Sequence, residues 1–236
     1  KLKKEFTLFL DKCPVCSERN FKHLFKHDNF HYYKCKNCAF VFVNPRLNDK
    51  GCDLWYNSDY YDAALETEYF INRKKDPYYS SSLSKEHFEK ASNILEKARF
   101  RKDISIIDLG CGGGSFLAYL KDKLGFQNLM GVDLNVKAVD FAVKYRKLNV
   151  QKINANHLSK EQKFDLVIST ENIEHVNDIN EYMNTVSSLT KKNGYLLLTT
   201  PHNDKWATIL YGIHGDHYCA PNHLNYFNIK SLSLLL

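Results

Sequence analysis

From residue 84 onward the apolar positions alternate between two periods. Phe88, Ala91, Ile94, Leu95 and Ala98 share one helical face, with Ser84 placed to cap the helix. Ile104–Asp108 is a short apolar run entering glycines, which reads as a buried strand. A helix carrying Phe116, Leu117, Leu120 and Leu124 follows and stops at Gly125. The same spacing predicts strand Leu129–Asp133, helix Val136–Arg146, strands Val150–Asn154 and Phe164–Thr170, helix Ile179–Leu189 and strand Tyr195–Thr200. Continuous apolar strands that alternate with helices predict an α/β fold with a doubly wound, mostly parallel sheet covered on both faces.

The first 83 residues lack this rhythm. Residues 1–50 read as a small module of short aromatic strands between two cysteine pairs, closed by Asn44-Pro45. Residues 51–83 form an aromatic bridge with Trp55, Tyr56, Tyr60, Tyr61, Tyr69, Phe70, Tyr78 and Tyr79 and no clear period, expected to hold short helices. Three segments are therefore expected: 1–50, 51–83 and 84–236.

Composition changes this picture little. In 236 residues, 44% are hydrophobic and 25% charged, which supports a full core and excludes a disordered or fibrous chain. No run approaches the roughly 18–20 apolar residues that a membrane span requires. The net charge of +6 lies entirely in residues 1–50, which hold 11 Lys/Arg and 5 Asp/Glu. A basic end suggests an anionic partner, but a tetrathiolate zinc site there would remove two of those charges and weaken the case for nucleic acid.

Of seven cysteines, Cys13, Cys16, Cys35 and Cys38 form two C-x-x-C pairs 18 residues apart, while Cys52, Cys111 and Cys219 are scattered. An odd total argues against a disulfide framework and for a reducing, cytoplasmic compartment. Each C-x-x-C turn presents two sulfurs to one side of a metal, so the two pairs predict a closed, structural Zn²⁺ site in a zinc ribbon.

Ile106-Ile107-Asp108-Leu109-Gly110-Cys111-Gly112-Gly113-Gly114-Ser115 runs from strand through glycines into helix, a geometry that brings backbone N–H groups to a ligand. Dinucleotide enzymes use such a loop too. Asp108 beside the loop would repel a pyrophosphate and welcome a cation, and Asp133, ending the next strand, suits a ribose diol. Ribose and a cationic amino acid without pyrophosphate describe S-adenosylmethionine (SAM).

The DLGCGGG loop, the second-strand GVD, FDLVIST followed by ENIEHV, and GYLLLTTP together resemble class I SAM-dependent methyltransferases over residues 85–236. With the zinc ribbon in front, the chain is similar to bacterial methyltransferases of nucleotide-linked sugars and surface-polysaccharide precursors. The resemblance implies that Asp108, Gly110, Gly112 and Gly114 line the methionine part of the cofactor, with Cys111 contributing backbone. It gives Asp133, followed by Leu134, to the ribose, Asn154 and Ala155 to the adenine edge, and Glu171 to the cofactor's surroundings. The sugar enzymes carry a Glu-His pair where this chain has Asn222-His223, and this departure bears on C-methylation. Family members also end in an antiparallel strand pair, which is not recognisable before Leu236.

An alcohol acceptor must shed a proton, and a histidine titrating near neutrality can take it. His223, His175 and His217 are the candidate bases, and Tyr79 and Asn222 the candidate acceptor contacts. The expected function is methyl transfer to a small polar acceptor: O-methylation of a nucleotide-linked sugar or phosphorylated precursor in capsule biosynthesis. C- or N-methylation of a nucleotide sugar, and an RNA-modifying enzyme using the basic ribbon, are the alternatives.

Overall fold

The computed structural model describes residues 3–66, 78, 82–203 and 218–236. In chain order its elements begin with β1 (Thr7–Leu8), β2 (Phe21–His27), β3 (Phe30–Cys35), β4 (Val41–Val43), β5 (Arg46–Leu47), α1 (Asp49–Tyr56) and α2 (Asp59–Glu66). Then come α3 (Ser82–Lys97), β6 (Ser105–Leu109), α4 (Ser115–Asp122), β7 (Asn128–Asp133), α5 (Val136–Arg146) and β8 (Val150–Lys152). The remainder is β9 (Phe164–Thr170), α6 (Ile179–Leu189), β10 (Thr190–Thr199), β11 (Asn225–Tyr226) and α7 (Ile229–Leu235). Among the described residues no helix is long and apolar enough to cross a membrane.

Two compact units result. The first comprises residues 1–55, 171–183 and 200–236. Its antiparallel sheet has the order β11-β4-β3-β2, so the last strand, from residues 225–226, pairs with Phe42 and Val41. Phe30, Tyr32, Val41 and Val43 alternate onto one core with Tyr218, Leu224 and Tyr226. Asn228 accepts from Ser231 N and completes a capping box that starts α7.

The second unit, residues 56–170 and 184–199, holds a five-stranded parallel sheet of order β10-β9-β6-β7-β8. The order reverses between β6 and β9, and in such sheets ligands bind beyond the carboxyl ends of the strands at that switch point. Ile106, Leu117, Leu120, Leu166 and Ile168 fill its core.

Several local expectations differ from the structure, among them the helix expected to carry Leu124, which ends at Asp122 with Lys123 as its C-cap. The helix expected to start at Ser84 starts at Ser82, and its Ile94, at the edge of the apolar arc, is 55% exposed. The strand expected through Asn154 stops at Lys152, because the Asn154 side chain accepts from Asn156 N and turns the chain into a 3-10 turn at Ala155–His157. The strand expected from Tyr195 begins at Thr190, with a register break before Tyr195. Gly194 sits in that bulge, where a Cβ would lie 2.9 Å from Lys191 O and 3.1 Å from Asp165 O. The first parallel strand begins at Ser105 and runs on to Leu109, one residue later at each end than expected.

Candidate active site and metal centre

The two C-x-x-C turns fold alike. Cys13 N donates to Glu18 O and Cys35 N to Phe40 O, while Ser17 and Ala39, each directly after its second cysteine, both adopt φ near 59°. The four Sγ atoms lie within 4.8 Å of one another. Cys13 Sγ is 3.7 Å from Cys38 Sγ, and Cys16 Sγ 3.5 Å from Cys35 Sγ. A tetrahedron with Zn–S bonds of about 2.3 Å has edges of about 3.8 Å, so the cage fits Zn²⁺. Burial pushes the Cys13 thiol far up, whereas at Cys16 the bonds from Glu18 N–H and from Cys38 and Cys35 outweigh burial and leave it at about 7. A dication would replace the protons these thiols otherwise keep. All seven cysteines are free thiols.

In the second unit, β6 leads into the glycine loop. Gly110, Gly112 and Gly114 have φ of 75°, 53° and 72°, values that disfavour side chains. Gly114 also answers to packing, since a Cβ there would lie 2.6 Å from Leu148 Cδ1. Cys111 Sγ packs against Gly131, where a Cβ would meet it at 2.6 Å. Asp133 is bound to the loop: its Oδ2 accepts from Gly112 N at 2.7 Å and its Oδ1 from Asn135 N at 2.9 Å. Asp108 is different. It is buried, and its Oδ1 has no hydrogen-bond partner among the described residues. Burial, with the charge of Asp133 adding, pushes its carboxyl up to about 7. An orphaned buried carboxylate oxygen beside glycines suits a cationic ligand, so these residues fit SAM.

The bridge supplies contacts that the sequence did not disclose. Asn57 Nδ2 donates to Leu134 O at 3.2 Å, and its Oδ1 accepts from Val136 N at 3.1 Å. Asn135 accepts from Ala138 N to cap α5 and donates to Asp62 Oδ1 at 3.1 Å, and Asp62 pairs with Lys137 at the same distance. The corner bearing Asp133 and Leu134 is thereby held by side chains from residues 57 and 62.

In the first unit, Glu174, His175 and His223 gather their ligand atoms within 4.8 Å. His175 Nδ1–H donates to Asn222 O at 2.7 Å, and its Nε2 lies 3.8 Å from Glu174 Oε1. Thr200 Oγ1 donates to Glu174 Oε2 at 2.9 Å. The His175 and His223 rings meet edge to face with centroids 4.8 Å apart. Burial, helped by the charge of Glu171, pushes Glu174 up to about 8. Burial also holds His175 down at about 4, against the carbonyls of Asn222 and Glu171. Glu171 itself adopts φ of 47°, uncommon for a residue with a side chain.

Arg46 fastens the segments that carry this cluster. Fully buried, it donates to the carbonyls of Val43, Asn177 and Leu224 at 3.1–3.2 Å and to Asn225 Oδ1 at 2.8 Å. Asn225 Nδ2 in turn donates to the carbonyls of Ile173 and Val176, and Leu224 N and Asn225 N both donate to Glu174 O. Burial lowers the Arg46 pKa to about 10.

Of the candidate site residues, the structure brings His175, His223 and Asn222 together, the last through its carbonyl, and adds Glu174 and Thr200. Asp108, Gly110, Cys111, Gly112, Gly114, Asp133 and Leu134 form the loop and its neighbour strand end. Asn154 and Ala155 open the 3-10 turn after β8. Tyr79 and His217 lie outside the described residues. Glu174 stood in plain view beside His175; the signal that marks it, a long-range partner at His223, is absent from local sequence.

The parallel sheet and its glycine loop define a class I methyltransferase fold. The family described as "Methyltransferase domain" matches residues 83–236, and the chain belongs to it. Its curated relatives include the ubiquinone biosynthesis O-methyltransferases of Pelagibacter ubique, 33% identical over 139 residues (57% of each chain), and Rickettsia conorii, 33% identical over 128 residues (52% of this chain, 42% of the relative). The chain thus spans about half the length of these relatives. Similar solved folds include a SAM dependent methyltransferase from Archaeoglobus fulgidus, with TM-score 0.52, 21% identity and 71% of each chain covered. Another is the plantazolicin methyltransferase BpumL in complex with SAH, with TM-score 0.53, 16% identity, 69% of this chain and 60% of that one.

Proposed function

We propose that this protein transfers a methyl group from SAM to a hydroxyl oxygen of a small polar acceptor. The observation that carries the reading is Asp108, whose buried Oδ1 has no hydrogen-bond partner among the described residues and lies beside three glycines at positive φ. SAM, when bound, supplies a methyl carbon activated by the adjacent sulfonium. Asp108 offers the counter-charge, and Asp133, already fixed by Gly112 and Asn135, presents its remaining lone pairs to the ribose hydroxyls. Asn154 and Ala155 complete the cofactor's surroundings.

The acceptor's proton leaves at the Glu174–His175–His223 cluster. Asn222 O fixes the His175 tautomer with Nδ1 protonated and Nε2 bare, while burial lowers its basicity below that expected of a histidine titrating near neutrality, which leaves His223 as the first candidate base. General-base help is worth about 10²–10⁴-fold. His223→Gln is therefore expected to lower turnover by that order with SAM affinity kept, and unchanged turnover in both His223→Gln and His175→Gln would reject the assignment.

For the acceptor, the relatives named ubiquinone biosynthesis O-methyltransferase support oxygen as the receiving atom. The cysteine ribbon before a PNHLNYF segment supports a nucleotide-linked sugar or phosphorylated precursor. Asn222, without a carboxylate to assist carbon deprotonation, favours oxygen over carbon. Incubating the protein with isotope-labelled SAM and panels of nucleotide sugars, sugar phosphates and phenols tests both. Label in the sugar panel supports the sugar reading; label in phenols alone replaces it; and no label in any panel, with SAM bound, rejects a hydroxyl acceptor of these classes.

A further inference from the structure

The cysteine cage is not the only place in the first unit where side chains of metal-binding type converge. Glu174, His175 and His223 present one carboxylate oxygen and two imidazole nitrogens within 4.8 Å of one another. A ligand set of two histidines and one carboxylate is of the kind that holds Zn²⁺ in hydrolytic sites or Fe²⁺ in open octahedral ones, and it leaves coordination positions for a further ligand. It does not suit Mg²⁺ or Ca²⁺, which take oxygen donors.

The surroundings are those that metal ligands need. His175 Nδ1–H is fixed by Asn222 O at 2.7 Å, and its Nε2 faces Glu174 Oε1 at 3.8 Å. Glu174 Oε2 is fixed by the Thr200 hydroxyl at 2.9 Å, so Oε1 is the oxygen turned to the histidine. Such outer partners orient ligating atoms and set the tautomer. The segments carrying the ligands are tied to each other by Leu224 N and Asn225 N on Glu174 O, at 2.8 and 3.0 Å. The separation of 3.8 Å between Nε2 and Oε1 needs only a few tenths of an ångström of closure to span one cation, whose ligands lie about 2.0–2.2 Å away.

We propose that Glu174, His175 and His223 form a second metal site, which binds one divalent transition-metal cation of the Zn²⁺, Co²⁺ or Fe²⁺ type and takes the acceptor hydroxyl as a further ligand. The binding itself stands on geometry within one unit, while its catalytic role rests on the methyl-transfer reading. In the metal-bound form His175 and His223 are ligands and no longer the base: the cation lowers the pKa of the hydroxyl, so that its O–H bond breaks and the proton passes to water. The oxygen then forms the O–CH₃ bond as the S–CH₃ bond breaks, its electron pair remaining on sulfur. A methyl ether and S-adenosylhomocysteine (SAH) result, with no oxidant required.

Cobalt titration of the metal-stripped full chain tests this without any acceptor. Wild type is expected to take up two equivalents, one with thiolate-to-cobalt charge transfer from the cage and one with d–d bands alone. His223→Ala and the isosteric Glu174→Gln are expected to keep the first and weaken the second at least tenfold. A single equivalent in wild type, or a second equivalent untouched by both substitutions, overturns the proposal. Retention of the thiolate band reports that each variant is folded. SAH binding, which needs no cation, separates failure of this site from failure of the methyltransferase reading.

Discussion

The cysteine cage and the Glu174–His175–His223 cluster belong to the same unit, and both gather ligand atoms within 4.8 Å. They are assembled in opposite ways. The cage takes all four donors from two local turns with matching hydrogen bonds and matching positive φ at Ser17 and Ala39. The cluster joins residues 48–49 positions apart, and nothing near either end specifies the other. Local turn chemistry encodes the first. Long-range packing, through Arg46 and Asn225, creates the second.

The largest effect is expected where the difference is sharpest. Structural zinc sites supply about 10–16 kcal/mol of apparent binding energy in small folded peptides. Cys35→Ser should therefore lose the cage metal and unfold the first unit, read by metal analysis and thermal melting; a variant that keeps both zinc and melting temperature would refute the site. Arg46→Ala comes next. It takes the guanidinium donor from Val43 O, Asn177 O and Asn225 Oδ1, while Leu224 O keeps Val43 N, and each buried acceptor left unsatisfied costs roughly 1–3 kcal/mol. The midpoint of denaturant unfolding should fall accordingly, whereas a loss under about 1 kcal/mol, the scale of one ordinary hydrogen bond, would mean that Arg46 is not the fastener described. Arg46→Lys should recover only part, because an ammonium cannot reach four divergent acceptors from the guanidinium's plane.

The glycine loop is a further contrast, since there both local and distant features were legible. The strand, the glycines and both acidic strand ends follow from periodicity and spacing, and β7, α5 and β9 lie within one residue of their expected bounds. What sequence did not disclose is that Asp133 holds Gly112 and that Asn57 and Asp62 grip the corner behind it. The first joins residues 21 positions apart, and the bonds of Asn57 and Asp62 join segments 73–79 positions apart. The joining of residues 225–226 to the ribbon sheet was equally hidden, because a two-residue strand carries no period. Asn222, a candidate acceptor contact in the sequence, also holds His175 through its carbonyl, a backbone contact that residue type does not announce.

A smaller effect concerns pH. The Asp108 carboxyl, raised from 3.8 to about 7 in the folded protein, favours folding while protonated. Its contribution is full below about pH 4 and is lost as pH rises through 7, at no more than about 1.4 kcal/mol per pH unit. Ligand-free wild type should lose stability across that window, and Asp108→Asn should flatten the slope; an unchanged slope would show that Asp108 ionises normally. A bound cation reverses the preference, so SAM should bind more tightly as pH rises through 7 and release a proton, measurable by calorimetry in buffers of different ionisation enthalpy.

Calorimetric titration with SAH at pH 8 tests the central claim most directly. One equivalent is expected to bind wild type, and Asp133→Ala to weaken it about 10–100-fold, since a hydrogen bond to a charged group is worth about 1.5–3 kcal/mol. Gly112→Val, which forces a β-branched residue into φ of 53°, should abolish binding. Wild type that fails to bind SAH, or Asp133→Ala that binds it equally well, would contradict the assignment of this loop to the cofactor.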